Sequence, residues 1–185
     1  MGIAAGTMVE TSKDLKDIKP KEYLVKLMNK KFDGYICTTI KDLNSIEEGL
    51  VLFEKGKITL SSYEYFGYNK KFIAEDALKR SLNSFNAPIG VMDVFSLTPQ
   101  QVKLVKTLKE DCVLKMPVAK DKLKIPGTFS YKYEKEIVGD AGEEITRDEL
   151  LERYGLARLK APSTTKEMLM YRAKKEAEDI EKARK

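Results

Sequence analysis

Residue types that commonly carry enzyme chemistry are scarce in this chain. The 185 residues include no histidine, which excludes Ser-His-Asp and Cys-His catalysis, histidine-ligated zinc and a histidine proton shuttle. The two cysteines, Cys37 and Cys112, lie far apart, so no CxxC pair is available for a zinc ribbon or a thioredoxin-type centre. Neither of the phosphate-loop patterns GxxxxGK[ST] and GxGxxG occurs. Any catalysis by these residues would rest on carboxylates and lysines.

Asp93 is the carboxylate that stands out, because it interrupts an alternating apolar stretch. A functional carboxylate is one interpretation, but an edge position or a cap on a neighbouring loop is more usual, and we predict the structural role. We likewise predict that Cys37, in a β-branched and aromatic segment, is a small core residue. Acidic pairs such as 47–48 and 143–144 are too common to indicate a metal site. The sequence therefore predicts no catalytic residue, no metal ligand and no cofactor.

An aromatic cluster is the strongest candidate for binding. It consists of Tyr63, Tyr65, Phe66 and Tyr68, at the exit of a predicted strand. Packing over the sheet edge is one interpretation. A partner-binding patch is the other, since tyrosine is frequent at protein interfaces. A base-stacking platform is less favoured, because lysines follow only at positions 70 and 71.

Charge and composition limit the classes of partner. The chain has 34 Lys and Arg against 29 Asp and Glu, a net charge of +5, and 42% hydrophobic residues. The basic residues are spread along the chain rather than clustered as in a typical nucleic-acid-binding protein. Their densest groups, at 26–31, 103–109 and 172–175, are predicted to be solvated helix faces. No apolar run approaches the ~20 residues of a membrane span, and we expect a cytoplasmic protein with free thiols and no membrane partner.

Local patterns predict an α+β fold. A helix is expected from Pro20, and a second from Asn69 to Pro88 with Ala74 and Ala77 on its buried face. Thr98-Pro99-Gln100-Gln101 is a capping box that begins a third helix. The predicted strands cover 35–40, 49–53, 57–65 and 89–97, with a hairpin turn at 54–56 and a polar loop at 41–48. We expect an antiparallel sheet with helices packed mainly on one face, followed by a C-terminal helical extension.

Four segments follow from this pattern. Residues 1–19 are predicted to be a flexible N-terminus and 20–115 a compact α+β domain. The Pro- and Gly-containing stretch 116–145 is expected to be a linker, with a short strand possible at Tyr131 and Tyr133. Residues 146–185 are predicted to be helical. The narrow apolar stripe of the last helix includes Met168, Met170 and Ile180, which makes these residues candidates for contact with a partner or a second copy.

Residues 21–114 resemble an archaeal family known as domain of unknown function 2226. The segments that carry the resemblance are KKFDGYICTTI, EEGLVLFEKGKITLSSYEY, AEDALKRSLNSF and GVMDVFSLTPQQVKL, in the order and spacing of that family. The later segment TRDELLERYGL is similar to the element that follows the family's core. More distantly, the hairpin GLVLFEKGKI followed by a helix resembles PATAN-type domains of bacterial signalling proteins. The resemblance implies an archaeal cytoplasmic source and an α+β fold, and it brings no established catalytic residues.

Three functions are compatible with the sequence. The first is a non-enzymatic protein-interaction or adaptor module, with a protein partner or a second copy of the chain as its target. The second is an RNA- or ribosome-associated protein that uses the lysine-rich helix faces. The third is an enzyme that relies on carboxylates and lysines. Retention on nucleic acid that falls with salt would favour the second, and activity that is lost with a chelator would favour the third.

Overall fold

The computed structural model describes residues 6–41 and 45–140, all within one compact unit of the chain. The strands are β1 (Thr7–Asp14), β2 (Gly34–Lys41), β3 (Ile46–Glu54), β4 (Lys57–Tyr65), β5 (Lys70–Ile73), β6 (Gly90–Ser96) and β7 (Val113–Val118). The helices are α1 (Pro20–Asn29), α2 (Ala74–Ser84), α3 (Pro99–Leu108) and α4 (Lys132–Asp140). Short 3₁₀ turns lie at 15–17, 66–68, 110–112 and 120–122.

The described strands form one antiparallel sheet in the order β1-β6-β2-β3-β4-β5. Strand β7 also pairs with β4, and it does so through Ile58 and Leu60 rather than through the 62–65 stretch that binds β5. A register shift between Leu52 and Phe53 of β3 accompanies this change along β4. The α+β class with an antiparallel sheet is thereby confirmed.

The larger core lies between one face of the sheet and helices α1 and α2. The sheet contributes side chains from five strands, and the two helices contribute their apolar faces. Members of this core include Ile36, Val51, Phe53, Ile58, Met92 and Val94 from the sheet and Leu24, Leu27, Met28, Leu78, Leu82 and Phe85 from the two helices and their ends. Pro20 occupies the first turn of α1, as its fixed φ favours.

Helix α3 packs on the opposite face of the sheet. Its capping box is formed as predicted, with Thr98 Oγ1 accepting from the Gln101 N–H and the Gln101 side chain accepting from the Thr98 N–H. Val102 and Val105 bury against Leu50, Leu52 and Leu60 and close this smaller core. Helix α4 contributes Ile137 to a cluster with Ala77 of α2. Among the described helices, α1, α2 and α4 therefore pack on the first face of the sheet, and α3 packs on the other.

Small residues let α2 approach the sheet closely. The hydroxyls of Thr38 and Ser84 lie 2.8 Å apart, and those of Ser61 and Ser81 lie 3.2 Å apart, all of them buried. Gly49 belongs to the same contact, because a Cβ there would lie 2.8 Å from Thr38 Oγ1 and 3.0 Å from the ring of a buried tyrosine on β4. Hydrogen bonding of these hydroxyls removes the cost of burying polar groups between a helix and a sheet.

The β3–β4 hairpin turns at Lys55 and Gly56, where the sequence predicted it. Both residues have positive φ, 49° and 74°, as a two-residue hairpin loop with the twist of the flanking strands requires. The Asp33 carboxylate accepts a hydrogen bond from the Lys55 N–H at 2.6 Å, and the Gly56 N–H donates to the Phe32 carbonyl. The turn is thus fixed to the chain that leaves α1.

The N-terminal segment differs from the prediction of a flexible lead-in over 1–19. Residues 7–14 form β1, which pairs with β6, and Leu15 is buried in the larger core. The register shifts twice along β1, and Ser12 has a positive φ of 47°. A strand held by backbone hydrogen bonds at a sheet edge needs little apolar alternation, which is why the pattern gave no signal.

Other boundaries are also corrected. The polar loop predicted at 41–48 is shorter, because β3 begins at Ile46. The helix expected from Asn69 begins at Ala74, since Asn69 adopts a left-handed conformation at the end of a 3₁₀ turn and β5 follows it. The predicted linker 116–145 contains the end of β7 and helix α4, so the possible strand at Tyr131 and Tyr133 was wrong. The predicted helices of 146–185 lie outside the described residues.

Candidate functional site

The aromatic cluster is mostly inside the protein. Tyr63 and Tyr65 are each 1% exposed and pack with Ala77 and Ile137 beneath α4. Phe66 and Tyr68 lie half-buried in the 3₁₀ turn that follows β4. In this arrangement Tyr63 and Tyr65 do not form an exposed patch, which favours the packing interpretation for these two rings. A partner role for Phe66 and Tyr68 stays a prediction.

A buried carboxylate–tyrosine contact lies under α4. The Tyr63 hydroxyl donates a hydrogen bond to Glu47 Oε2 at 2.6 Å, and Glu47 is itself 1% exposed. Burial and the neighbouring Glu47 carboxylate raise the pKa of Tyr63 well above its usual value. Burial, with Glu47 and Glu134 nearby, raises the pKa of Tyr65 as well, although Arg80 acts in the opposite direction. Both hydroxyls therefore stay protonated, and that of Tyr63 serves as a buried donor rather than as a base.

Arg80 connects this buried cluster to α4. Its guanidinium carbon lies 3.6 Å from the Phe72 ring centre and 4.8 Å from the Tyr133 ring centre, so the cation sits between two aromatic rings. Its Nη2 donates to Glu136 at 3.0 Å. The Arg80 side chain is 7% exposed, so solvent screens its ring contacts only slightly, whereas its partner Glu136 is 46% exposed. Arg80 thus fixes the position of α4, and of Tyr133 in particular.

The chain that leads into α4 is also fastened to α2. Asn83 makes a reciprocal pair of hydrogen bonds with the backbone of Ser130, each 2.9 Å long. Asn86 Nδ2 donates to the Pro126 carbonyl at 3.0 Å. These contacts hold the segment 126–130, which has no regular secondary structure, along the C-terminal half of α2. The part of the predicted linker between β7 and α4, residues 119–131, is therefore a strap fastened to the core.

A cleft of about 210 Å³ opens between α2, the end of β7, the strap and α4. Leu78 and Leu82 of α2 and Val118 of β7 supply apolar side chains to it, and Pro126 and Tyr133 complete its walls. The contacts of Arg80 and Asn83 fix two of these walls without any ligand. The cleft is consequently preformed.

Lysines supply the charged groups of this cleft. They are Lys79, Lys122 and Lys124, and among the described residues that line the cleft none is acidic. Lys79 pairs with Asp76 at 3.0 Å in an exposed ion pair. Lys122 and Lys124 are exposed on either side of buried Leu123, and neither makes an ion pair within residues 6–41 and 45–140. The arrangement can accept an apolar group together with carboxylate or phosphate charge.

The carboxylate and the two cysteines that the sequence singled out lie in environments that suit a structural role. Asp93 accepts a hydrogen bond from the Ser12 N–H at 2.7 Å, which satisfies the irregular part of β1. Burial and the carboxylates of Glu48 and Asp93 raise the pKa of Cys37 to about 12. Burial and the neighbouring Asp111 raise the pKa of Cys112 to about 11. Such thiols are poor nucleophiles, because little thiolate forms near neutral pH.

The lysine groups that were predicted to be solvated helix faces differ in their exposure and pairing. Lys103 on α3 is exposed, whereas Lys106 pairs with Glu54 at 2.8 Å. Lys26 and Lys30 are exposed on or next to α1. Met168, Met170 and Ile180 lie outside the described residues, so their contact role stays a prediction. Within the described part of the chain, no three His, Cys, Asp or Glu residues are placed to hold a metal ion, and no helix there is long and apolar enough to cross a membrane.

Sequence reasoning missed the cleft entirely. Two of its lysines and Pro126 lie in the stretch that was predicted to be a linker, where Pro and Gly suggested irregular chain. The signal that was available is the alternation in Lys120-Asp121-Lys122-Leu123-Lys124, in which one apolar residue stands between lysines. Such a pattern indicates a strap with one buried anchor and exposed charge on both sides.

The described fold is an α+β domain with an antiparallel sheet and a basic-rimmed cleft on its helical face. Residues 1–109 match a protein family described as "Uncharacterized protein conserved in archaea (DUF2226)". The match covers more than half of the 185 residues, so the chain belongs to this archaeal family. No curated protein and no solved structure matches the chain significantly. The cleft residues that follow position 109 lie beyond the matched region.

Proposed function

We propose that this chain is a non-enzymatic protein-interaction module of the archaeal cytoplasm and that the cleft between α2, the strap and α4 is its docking site. The observation that carries the proposal is the composition of the cleft: an apolar interior with a charged rim of lysines. Interfaces combine an apolar centre, which excludes water, with a polar rim that selects the partner. The same combination is present here on a small scale.

The buried aromatic cluster supports this proposal indirectly. Tyr63, Tyr65 and Arg80 hold α4 in place, and α4 brings Tyr133 to the cleft. A docking site with fixed walls loses little conformational entropy when a partner binds. Two of the four aromatic residues that the sequence singled out, Tyr63 and Tyr65, therefore support the proposed docking site from beneath α4.

RNA binding is the second candidate, because three lysines around a cleft could also face phosphates. Single-stranded RNA is usually held by successive bases stacked on exposed aromatic rings. Tyr133 supplies a ring to the cleft, but it is half-buried and already packs against Arg80. This arrangement favours a protein partner over RNA. An enzyme that uses carboxylates and lysines remains the third alternative.

The test is an affinity capture from lysate of the source archaeon with the full chain as bait, with and without nuclease. The cleft variant carries Lys122→Glu and Lys124→Glu. A matched control carries Lys21→Glu and Lys30→Glu, which make the same charge change at exposed positions of α1 and its C-terminal end. We expect proteins that bind the wild type and the control, resist nuclease and are depleted about tenfold with the cleft variant.

Two outcomes would contradict the proposal. Capture that disappears after nuclease treatment would favour the RNA-associated alternative. Capture that is equal for the cleft variant and the control would show that the cleft is not the docking site. Melting curves of both variants by circular dichroism should match that of the wild type, because the substituted side chains are exposed.

A further inference from the structure

The cleft is too small for a typical cofactor or metabolite. Its volume of about 210 Å³ lies below the ~300–1,000 Å³ of most small-molecule sites. A space of this size suits one large side chain of a partner. Because Leu78 and Leu82 are apolar and Tyr133 presents a ring, the side chain that fits is aliphatic or aromatic.

The lysines at the rim indicate which charge the neighbouring residues of the partner carry. Lys122 and Lys124 have no ion-pair partner among the described residues, so their positive charge is available to a ligand. The pair between Lys79 and Asp76 is exposed on both sides, and exposed pairs of this kind contribute little to stability. Lys79 can therefore exchange Asp76 for a carboxylate on a partner at small cost.

The placement of the lysines favours a chain over an isolated anion. Lys79 belongs to α2, whereas Lys122 and Lys124 belong to the strap, so the cations approach the apolar interior from different elements. An isolated anion would meet lysines but leave the apolar surface in water. A segment with acidic residues on both sides of one apolar residue would satisfy both features together.

We infer that the cleft binds an acidic peptide segment of another protein, with one large apolar side chain inserted between flanking Asp or Glu residues. This inference rests on the proposed function and specifies its partner. Arg80 and Asn83 keep the walls in place before binding, so the segment orders itself on a rigid surface. Binding of such a segment weakens as salt rises, because its flanking charges lie at the exposed rim.

The test is selection of short random peptides displayed on phage, with the immobilised full chain as the target. The enriched peptides are afterwards tested one by one for binding to the Lys122→Glu and Lys124→Glu variant. We expect the enriched sequences to share Asp or Glu on both sides of one Leu, Ile, Met or Phe. A synthetic peptide of the enriched sequence, measured by fluorescence anisotropy, should lose about tenfold in affinity for the cleft variant and less than about twofold for the Lys21→Glu and Lys30→Glu control.

The outcomes separate this inference from the proposed function. Enriched peptides that need the cleft lysines but contain no acidic residues, or no apolar residue, would overturn the inference and leave the docking site intact. If no peptide is enriched, or if every enriched peptide binds the cleft variant as well as the wild type, the cleft is not a peptide-docking site and both fail. Replacement of the apolar residue of the peptide by alanine should weaken binding about tenfold, and an unchanged affinity would overturn insertion.

Discussion

Removal of one hydroxyl should reveal how the buried cluster beneath α4 is stabilised. Tyr63→Phe deletes the donor that meets Glu47 Oε2 at 2.6 Å, and both side chains are 1% exposed. A hydrogen bond to a charged group contributes about 1.5–3 kcal/mol, and little water reaches Glu47 to replace it. We therefore expect the variant to unfold with about 2 kcal/mol less free energy than the wild type at pH 7.

The same substitution should change the response to alkali. Because the pKa of Tyr63 is raised in the folded protein, above about pH 10 its hydroxyl ionises in the unfolded chain but not in the folded one. Above that pH, Tyr63 therefore lowers the free energy of unfolding of the wild type by about 1.4 kcal/mol per pH unit. The phenylalanine of the variant has no ionisable group, so the variant lacks this loss. The difference between the variant and the wild type should therefore shrink to nearly zero by about pH 11.5.

Urea unfolding monitored by circular dichroism at several pH values measures both effects. Tyr131→Phe is the matched control, because Tyr131 is exposed and its ring contact with Phe129 is retained. The control should differ from the wild type by less than about 0.5 kcal/mol. A Tyr63→Phe variant as stable as the wild type at pH 7, or a difference that stays constant above about pH 10, would refute the reasoning.

Three further predictions concern packing and chain organisation. Ile137→Ala should lower the free energy of unfolding by about 2–4 kcal/mol, because Ile137 of α4 is buried, at 2% exposed; unchanged urea unfolding would show that α4 is not part of the core. Gly49→Ala should cost about 1–3 kcal/mol, because its Cβ meets Thr38 Oγ1 at 2.8 Å, whereas Gly127→Ala, with nothing within 4 Å, should be nearly neutral; equal melting temperatures would contradict this. Limited proteolysis followed by mass spectrometry should cut first within 119–131 among the described residues, and an earlier cut inside β3 or β4 would be the contrary result.

The sequence predicted best those elements whose local signals agree with their packing. Helix α3 was specified by Thr98, Pro99 and Gln101, whose capping role depends only on neighbouring residues. The turn at Gly56 and the apolar stripe of α2 were also local, and both were confirmed. Where periodicity and capping agree, little tertiary information is needed.

The elements that were missed depend on distant partners. Strand β1 exists because β6 offers it an edge, and Asp93 satisfies Ser12 across 81 positions of sequence. Arg80 and Asn83 of α2 hold α4 and the strap in place. No pattern within 116–145 reveals these contacts, because both residues lie outside that stretch. The cleft follows from those contacts, so it could not be inferred before the strap was placed. Tyr63 and Tyr65 of β4 stood out in the sequence because they are large aromatic residues, and the same large rings make them suitable for covering the sheet, where they are buried.

Chemical-shift mapping tests the central claim most directly. The full chain, labelled with ¹⁵N, is titrated with the purified protein that the affinity capture identifies, and backbone amide shifts are followed. The proposed docking site predicts the largest changes at Leu78, Leu82, Val118 and Lys122, which line the cleft, with small changes at Lys21 and Lys30. Changes centred on α1 or α3, with the cleft amides unmoved, would contradict the claim that this cleft is the docking site.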